Sequence, residues 1–451
     1  MKAFKSFISK RRQSYQSRKK ANAPAPANME NNAAPAAAQV DNAAPEANAG
    51  QQQVLAEAAD GTLQLALQNK TNSGTVYAYI TGLALERGNA PIFVQADGRT
   101  IYQPSTPATV QSPLQADVAI PLGAPGNTVY VRIPKIAGGR IWFSIGAKLT
   151  FLLNPGPAVV EPSVTNPTDL NFNLNWTFCE FTYNDAQLFA NISYVDFVSI
   201  PIALTLQSSQ AETQTVPGMR PDGFQTIVAG LRAQAKADGR PWDQLIYEAN
   251  GQPLRVLSPN NLLVGKAGAW GNYWDGYVQA VWNKFRNEDM IINTQAAAGN
   301  LRGRVQSNNQ LQFPEAGNFD QPTAADIFSC STGPFATGAN AARNAVIPRL
   351  AAAFNRSILL NTPSNQFPNG SNPSQYYKDP TTNHYSRLVH SVQKDGRGYA
   401  FPYDDVVPDG GQDVAGTVFA GSPTLFTIAV GGHPTFTTSM LRTLHTISRV
   451  S

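Results

Sequence analysis

The run Trp176-Thr-Phe-Cys-Glu-Phe-Thr-Tyr-Asn184 and the run Asn191-Ile-Ser-Tyr-Val-Asp-Phe-Val-Ser-Ile-Pro201 stand either side of a short polar connection, Asp185 to Ala190. Both are rich in aromatic and β-branched residues, the composition of adjacent strands. Side chains alternate along a strand, so Trp176, Phe178, Glu180, Thr182 and Asn184 share one face. That face is apolar at one end and then carries a carboxylate, a hydroxyl and an amide. In the second run Asp196 sits between Val195 and Phe197, an apolar setting for a charge. A hairpin centred near Leu188 would set Glu180 directly opposite Asp196, with Cβ atoms about 4.5–5.5 Å apart. Two acids so placed repel each other, which admits two readings. Either their pKa values split, leaving one protonated and one ionised for acid–base work, or they sit at a sheet rim and each pairs with an Arg or Lys.

Strand texture extends outward from these runs. Leu63, Leu65 and Leu67 alternate with polar residues, and Val76–Ile80, Ile92–Val94, Val129–Ile133, Ile141–Ile145, Leu149–Leu153 and Ile202–Leu206 follow the same habit. Gly, Pro and Asn punctuate them, at Gly88-Asn89, Pro125-Gly-Asn127, Gly138-Gly139 and Asn154-Pro-Gly156 among others. Short strands at this spacing predict an antiparallel β-sandwich or barrel. After Val216-Pro-Gly218 the period becomes helical. Phe224, Ile227, Val228 and Leu231 form one stripe behind a Pro221-Asp222 start, and Tyr273, Tyr277, Val281 and Phe285 a second. Ala341 to Phe354 predicts a third helix that Pro348 should kink or restart. Leu254–Leu257 and Leu311–Phe313 are short strand candidates between them. Strand texture returns from Tyr399 through Val418-Phe and Leu425–Val430, and Leu441, Leu444 and Ile447 suggest a short amphipathic end. The fold class expected is mainly β, with an inserted smaller α/β domain. Its divisions are a tail over 1–57, a first β part over 58–216, the α/β domain over 217–365 and a return to the β domain over 366–451.

The tail is set apart by composition. Residues 1–20 hold eight Lys or Arg and no acid, and Ala, Pro, Asn and Gln dominate residues 21 to about 57. Such a segment has too little apolar bulk to offset its ordering entropy and is expected to be disordered. Lys10-Arg-Arg and Arg18-Lys-Lys are read as a solvated basic tail, ahead of a nuclear address or a membrane-surface patch. No apolar h-region follows the basic start, so no secretory signal peptide is recognised. No run approaches the roughly 20 apolar residues of a membrane span.

Without those first twenty residues the formal charge is 26 basic against 30 acidic groups, which excludes nucleic acid as an electrostatic partner of the body. Charged residues make up only 14% of the chain, and the polar surface is carried by Asn, Gln, Ser and Thr, suited to neutral hydroxylated ligands. Cys179 and Cys330 lie far apart in sequence and form no disulfide framework or metal cluster; one bridge or two isolated buried thiols are both open. The four histidines have no zinc-type spacing, and His390 and His433 read as structural.

Gly398-Tyr-Ala-Phe-Pro-Tyr-Asp-Asp-Val406 places Asp404 and Asp405 after an aromatic strand candidate. The pair reads either as turn acids or as acceptors for sugar hydroxyls beside Tyr399, Phe401 and Tyr403. Taken together, Cys-Glu-Phe-Thr-Tyr-Asn, the acid sixteen positions on in Tyr-Val-Asp-Phe-Val-Ser-Ile-Pro, Asn383-His-Tyr-Ser and Gly-Tyr-Ala-Phe-Pro-Tyr-Asp-Asp resemble glycoside hydrolase family 64 over roughly residues 60–445. That family comprises β-1,3-glucanases of thaumatin-like fold, with a groove between a β domain and a mixed α/β domain.

The resemblance implies that Glu180 is the general acid and Asp196 the general base of an inverting, endo-acting enzyme releasing short oligosaccharides. It implies further that Thr182, Asn184, Phe189, Asp404 and Asp405 bind β-1,3-glucan. Family members often carry Trp nine positions after the acid; Phe189 keeps the aromatic platform but loses the indole N–H. No metal or organic cofactor is needed, and a monomer is expected. Location is left open between the family's extracellular or cell-wall setting and the cytoplasm. The alternative is a thaumatin-like protein that binds β-1,3-glucan without turnover.

Overall fold

Leu63, Leu65 and Leu67 are fully buried, and their strand, Leu63–Asn69, lies beside the last strand described, Pro423–Val430. The computed structural model describes residues 61–432; the tail expected over 1–57, the amphipathic end around Leu441, and His433 lie outside the described residues. The first and last strands pair in parallel, whereas their other neighbours in this five-stranded sheet are antiparallel. The sheet order is Gln214–Val216, Ile202–Ser208, Pro423–Val430, Leu63–Asn69, Thr128–Ile133. The last of the described strands is therefore central.

An eight-stranded sheet carries Thr417–Ala420, Leu188–Ile192, Asn175–Tyr183, Ile136–Ile145, Val76–Ala84, Ala90–Val94 and Ile101–Tyr102 in that order, with Ile120–Pro121 also on Val76–Ala84. Neither path closes into a barrel. The two sheets bury their facing sides in one core, to which the first gives Leu65, Val131, Leu204 and Ile428 and the second Ile80, Ile141, Cys179, Phe181 and Ala190. Each Val, Leu, Ile or Phe side chain among them contributes about 1.5–3 kcal/mol by leaving water. Cys179 and Cys330 are both buried thiols and are not joined by a disulfide.

The strand and its hairpin partner do not meet where the sequence suggested. Asn184 accepts from the backbone N–H of Ala186 (2.9 Å) and Gln187 (3.0 Å) through its side-chain oxygen. This Asx-type turn closes the loop at Gln187, so Tyr183 pairs with Leu188 and Leu188-Phe-Ala190 belongs to the strand. Glu180 consequently faces Asn191, and Asp196 lies beyond the strand altogether.

The helical stripes behave as their periodicity predicts. Gly223–Asp238 buries Ile227, Val228 and Leu231 and ends at Gly239, which is left-handed. Asp275–Asn287 buries Tyr277, Val281 and Phe285. Ala341–Asn355 continues through Pro348 as one helix, without the expected restart. A proline inside a helix costs about 3 kcal/mol, and burial of Val346, Ile347, Leu350 and Phe354 in the same helix exceeds that. Helices continue past residue 365, with His384–Val392, and Tyr399 forms only an isolated bridge to Ser193. Among the described residues no helix is long and apolar enough to cross a membrane.

One close approach fixes the eight-stranded sheet behind its polar face. Gly139 pairs with Phe181, and a Cβ built there would lie 2.5 Å from the Phe181 ring. Gly139→Ala is expected to cost about 1–3 kcal/mol by overpacking, read as a lower urea midpoint with an unchanged m-value.

Candidate active site

Alternation along Asn175–Tyr183 sends Cys179, Phe181 and Tyr183 into the shared core and Trp176, Phe178, Glu180 and Thr182 to the opposite face. The registers of the neighbouring strands extend that face sideways. Thr417, Asn191, Glu180, Arg140 and Thr81 stand side by side on five successive strands. At about 4.8 Å per strand the row is roughly 19 Å long. Phe178, Trp142 and Tyr79 border it on one side, and Thr182, Phe189 and Phe419 on the other. Within the row Glu180 and Thr417 keep appreciable exposure, while Phe178, Trp142 and Tyr79 pack with Leu149 and Phe151 in a second core. Phe419, 48% exposed, offers an open aromatic face of the kind that stacks on the C–H face of a sugar ring.

Glu180 keeps 19% of its side-chain surface exposed, and its Oε1 accepts from Arg140 Nη2 at 3.4 Å. The other terminal nitrogen of Arg140 donates to Glu161 Oε2 at 2.6 Å. The guanidinium also lies 4.7 Å from the centre of the Phe178 ring and 5.3 Å from that of Trp142. One cation thus serves two carboxylates, and it is closer to Glu161. With an effective dielectric of about 20 the shorter contact is favoured by roughly 1.5 kcal/mol. The reading of rim acids paired with an Arg is therefore met at Glu180, in part.

Asp196 leads into Phe197–Val198, a strand of a separate three-stranded sheet with Gln252–Leu257 and Ile246–Ala249. Its carbonyl accepts from Ser258 N and Asn261 Nδ2, both at 2.9 Å, and its Oδ1 from Asn261 Nδ2 at 3.3 Å. Tyr385 Oη, from the helix His384–Val392, donates to the Tyr194 carbonyl at 2.6 Å. The helical part of the chain thus holds the second acid, and the β part holds the first. The expected direct opposition of the two is corrected by the Asn184 turn.

The remaining sequence candidates separate. Thr182 accepts from Gly138 N at 3.2 Å, Asn184 forms the turn, and Phe189 is buried within the aromatic border. Asp404 is fully buried and is no groove residue. Arg356 Nη2 donates to Oδ1 at 2.9 Å, while His390 Nε2 and Ala400 N both reach Oδ2 at 2.9 Å. Arg356 also donates to the carbonyls of Asp404 and Val406. The acceptors expected for sugar are spent on tying the end of the helix Ala341–Asn355 to His384–Val392. Asp405 is half-buried and accepts from Tyr399 Oη at 3.3 Å. Arg140, Glu161, Asn261 and Phe419 were not foreseen. For Phe419 an available signal was its position one residue after the buried Val418, on the alternate face of a strand.

The beta-1,3-glucanase model of glycoside hydrolase family 64 matches residues 61–430. The chain belongs to this family. The resemblance read from the motifs around Glu180, Asp196, Asn383 and Asp404 is borne out. Among relatives, this family 64 chain is 29% identical over 360 residues to the glucan endo-1,3-beta-glucosidases of Cellulosimicrobium cellulans and Arthrobacter sp. (strain YCWD3). Each match covers 78% of this chain and 62% of the relative, so the chain spans under two thirds of those relatives' length. A laminaripentaose-producing beta-1,3-glucanase solved with laminaritetraose is 30% identical, with a TM-score of 0.72, over 82% of this chain and 99% of that one. A beta-1,3-glucanase domain from Clostridium beijerinckii, 20% identical with a TM-score of 0.63 over 82% and 98% of the two chains, shares the fold.

The buried Asp404 node carries a pH signature. Burial alone would raise the Asp404 carboxyl, yet the charges and hydrogen bonds of His390 and Arg356 hold it below its ordinary value of 3.8. Burial would lower His390, yet Asp404 raises it above 6.5. Asp404 therefore stabilises the fold above about 3.8, a contribution lost as pH falls through its depressed folded value. His390 contributes fully below 6.5 and loses that contribution as pH rises through its elevated folded value. Thermal unfolding should show a stability plateau between these limits. His390→Phe should remove the alkaline decline, and Asp404→Asn should cost about 3–5 kcal/mol by stranding Arg356.

Proposed function

We propose that this protein hydrolyses internal bonds of β-1,3-glucan with inversion, Glu180 acting as general acid and Asp196 as general base. The observation that carries the reading is the placement of Glu180 in the polar row while Asp196 stands outside its hairpin on a separately held segment. Directly opposed strand acids would favour the roughly 5–5.5 Å of a retaining pair, whereas inversion needs about 6.5–9.5 Å for an intervening water. The displaced register supports the wider arrangement. Glu180 gives its proton to the departing glycosidic oxygen as the C1–O bond breaks. Asp196 takes a proton from the water whose oxygen forms the new C1–O bond on the opposite face.

Thr182, whose oxygen accepts from Gly138, can donate its hydroxyl proton to a sugar, and Asn184 can donate its amide. Phe419, 48% exposed, supplies the aromatic surface, backed by the buried Phe189 paired with it on the neighbouring strand. Asp405 supplies an acceptor from the loop beyond Tyr399. The two sheets with a shared core, and helices between Gly223 and Val392, support a thaumatin-like sandwich with an α/β insertion and a groove between them. We extend the reading to a monomer acting on cell-wall polysaccharide. The family match and the 30% identity to the laminaripentaose-producing enzyme support short oligosaccharides as products.

A second reading, glucan binding without turnover, draws on the Glu180–Arg140 pair, since a carboxylate held ionised cannot donate a proton. Reducing-sugar release from linear β-1,3-glucan decides between them. Under the enzyme reading Glu180→Gln and Asp196→Asn each lower kcat by roughly 10²–10⁴-fold while glucan binding persists. Binding with no release by the wild type would establish the second reading. Proton NMR of early product should show the α-anomer first. Phe419→Ala should raise KM about two- to tenfold at unchanged kcat, the mark of a contact made equally in ground and transition states.

A further inference from the structure

Glu161 lies outside every motif named above, yet it lies nearer than Glu180 to the Arg140 guanidinium that the two share. It follows directly on the strand Ala158–Val160, which pairs with Leu152–Asn154, itself paired with Ser112–Pro113. The loop beyond it is pinned: Ser163 N donates to Asp169 Oδ2 at 3.2 Å, and Asn171 exchanges hydrogen bonds with the Thr150 backbone at 2.7 and 2.8 Å. Glu161 itself is only 12% exposed. A carboxylate is thus brought from a separate small sheet to the guanidinium beside Glu180.

We propose that Glu161 is a positioning residue for the reaction, holding Arg140 to itself so that Glu180 keeps its proton. This rests on the reading of Glu180 as general acid. The Arg140 guanidinium bridges the two acids through separate nitrogens, at 2.6 Å to Glu161 and 3.4 Å to Glu180. One positive charge neutralises one carboxylate, and the longer contact leaves Glu180 as the partner that stays neutral at least cost. Phe178 and Trp142 lie against the guanidinium, 4.7 and 5.3 Å from ring centre to Cζ. On the far strand the neighbours of Glu180 are the uncharged Asn191 and Thr417, and on the Arg140 side the row ends in Thr81. Cys179 points into the opposite core, where burial pushes its thiol well up. Asp196 is bound by Ser258 and Asn261.

The test is the pH profile of kcat/KM on linear β-1,3-glucan, whose alkaline limb reports loss of the acid's proton. Glu161→Gln frees Arg140 to close on Glu180 and should move that limb to lower pH by about one unit, roughly a tenfold loss of activity above it. Arg140→Gln removes the cation from Glu180 and should move the limb to higher pH. Both limbs unmoved would overturn the proposal, whatever the variants' stability. Carboxyl ¹³C titration of Glu180, assigned with Glu180→Gln, reads the same displacement without turnover. A wild type that releases no sugar, with the two opposite titration shifts intact, would overturn the hydrolase reading while leaving the charge partition standing. Absence of the shifts in an active enzyme would overturn the partition alone.

Discussion

The strand Asn175–Tyr183 cannot slip by one residue, and the site depends on that constraint. One of its faces supplies Cys179, Phe181 and Tyr183 to the core between two sheets, and the other carries Trp176, Phe178 and Glu180. A shift of one position would carry the carboxylate into the core and the aromatic side chains out of it. Gly139 tightens the lock by letting the Phe181 ring rest against the backbone of the neighbouring strand. Once this register is set, Arg140 and Asn191 arrive beside Glu180 by pairing alone, with no loop needed to deliver them.

Glu180 and Asp196 are held in place by different physical means. Glu180 is placed by sheet pairing, and Asp196 by hydrogen bonds from the segment Ser258–Asn261 and from Tyr385 to its neighbour Tyr194. The helical region therefore does more than decorate the β framework. Its buried Arg356–Asp404–His390 cluster ties the helix carrying Tyr385 to the end of Ala341–Asn355.

Local periodicity made most strands and the three helical stripes legible, because burial on one side imposes a pattern on each segment separately. What escaped was whatever depends on a turn or on a distant partner. The hairpin register was misread because Asn184 bonds its own loop and shortens the connection to four residues, a choice that alternation does not encode. Asp404 resembled a groove acid because its partner Arg356 lies 48 positions earlier and only the fold buries the pair. Glu161 lies in a loop with no periodicity at all, and its importance comes from Arg140, which the sequence places 21 positions before it.

The parallel pairing of Leu63–Asn69 with Pro423–Val430 bears on how the molecule comes into being. The strand at the centre of the five-stranded sheet is the last of the described strands to leave the ribosome, so Ile202–Ser208 and Leu63–Asn69 wait unjoined through the synthesis of more than two hundred intervening residues. Contacts of such long sequence separation carry a large loop-closure cost and slow folding. During that interval two apolar strand edges stand open in the nascent chain, an opportunity for chaperones and for misassociation alike.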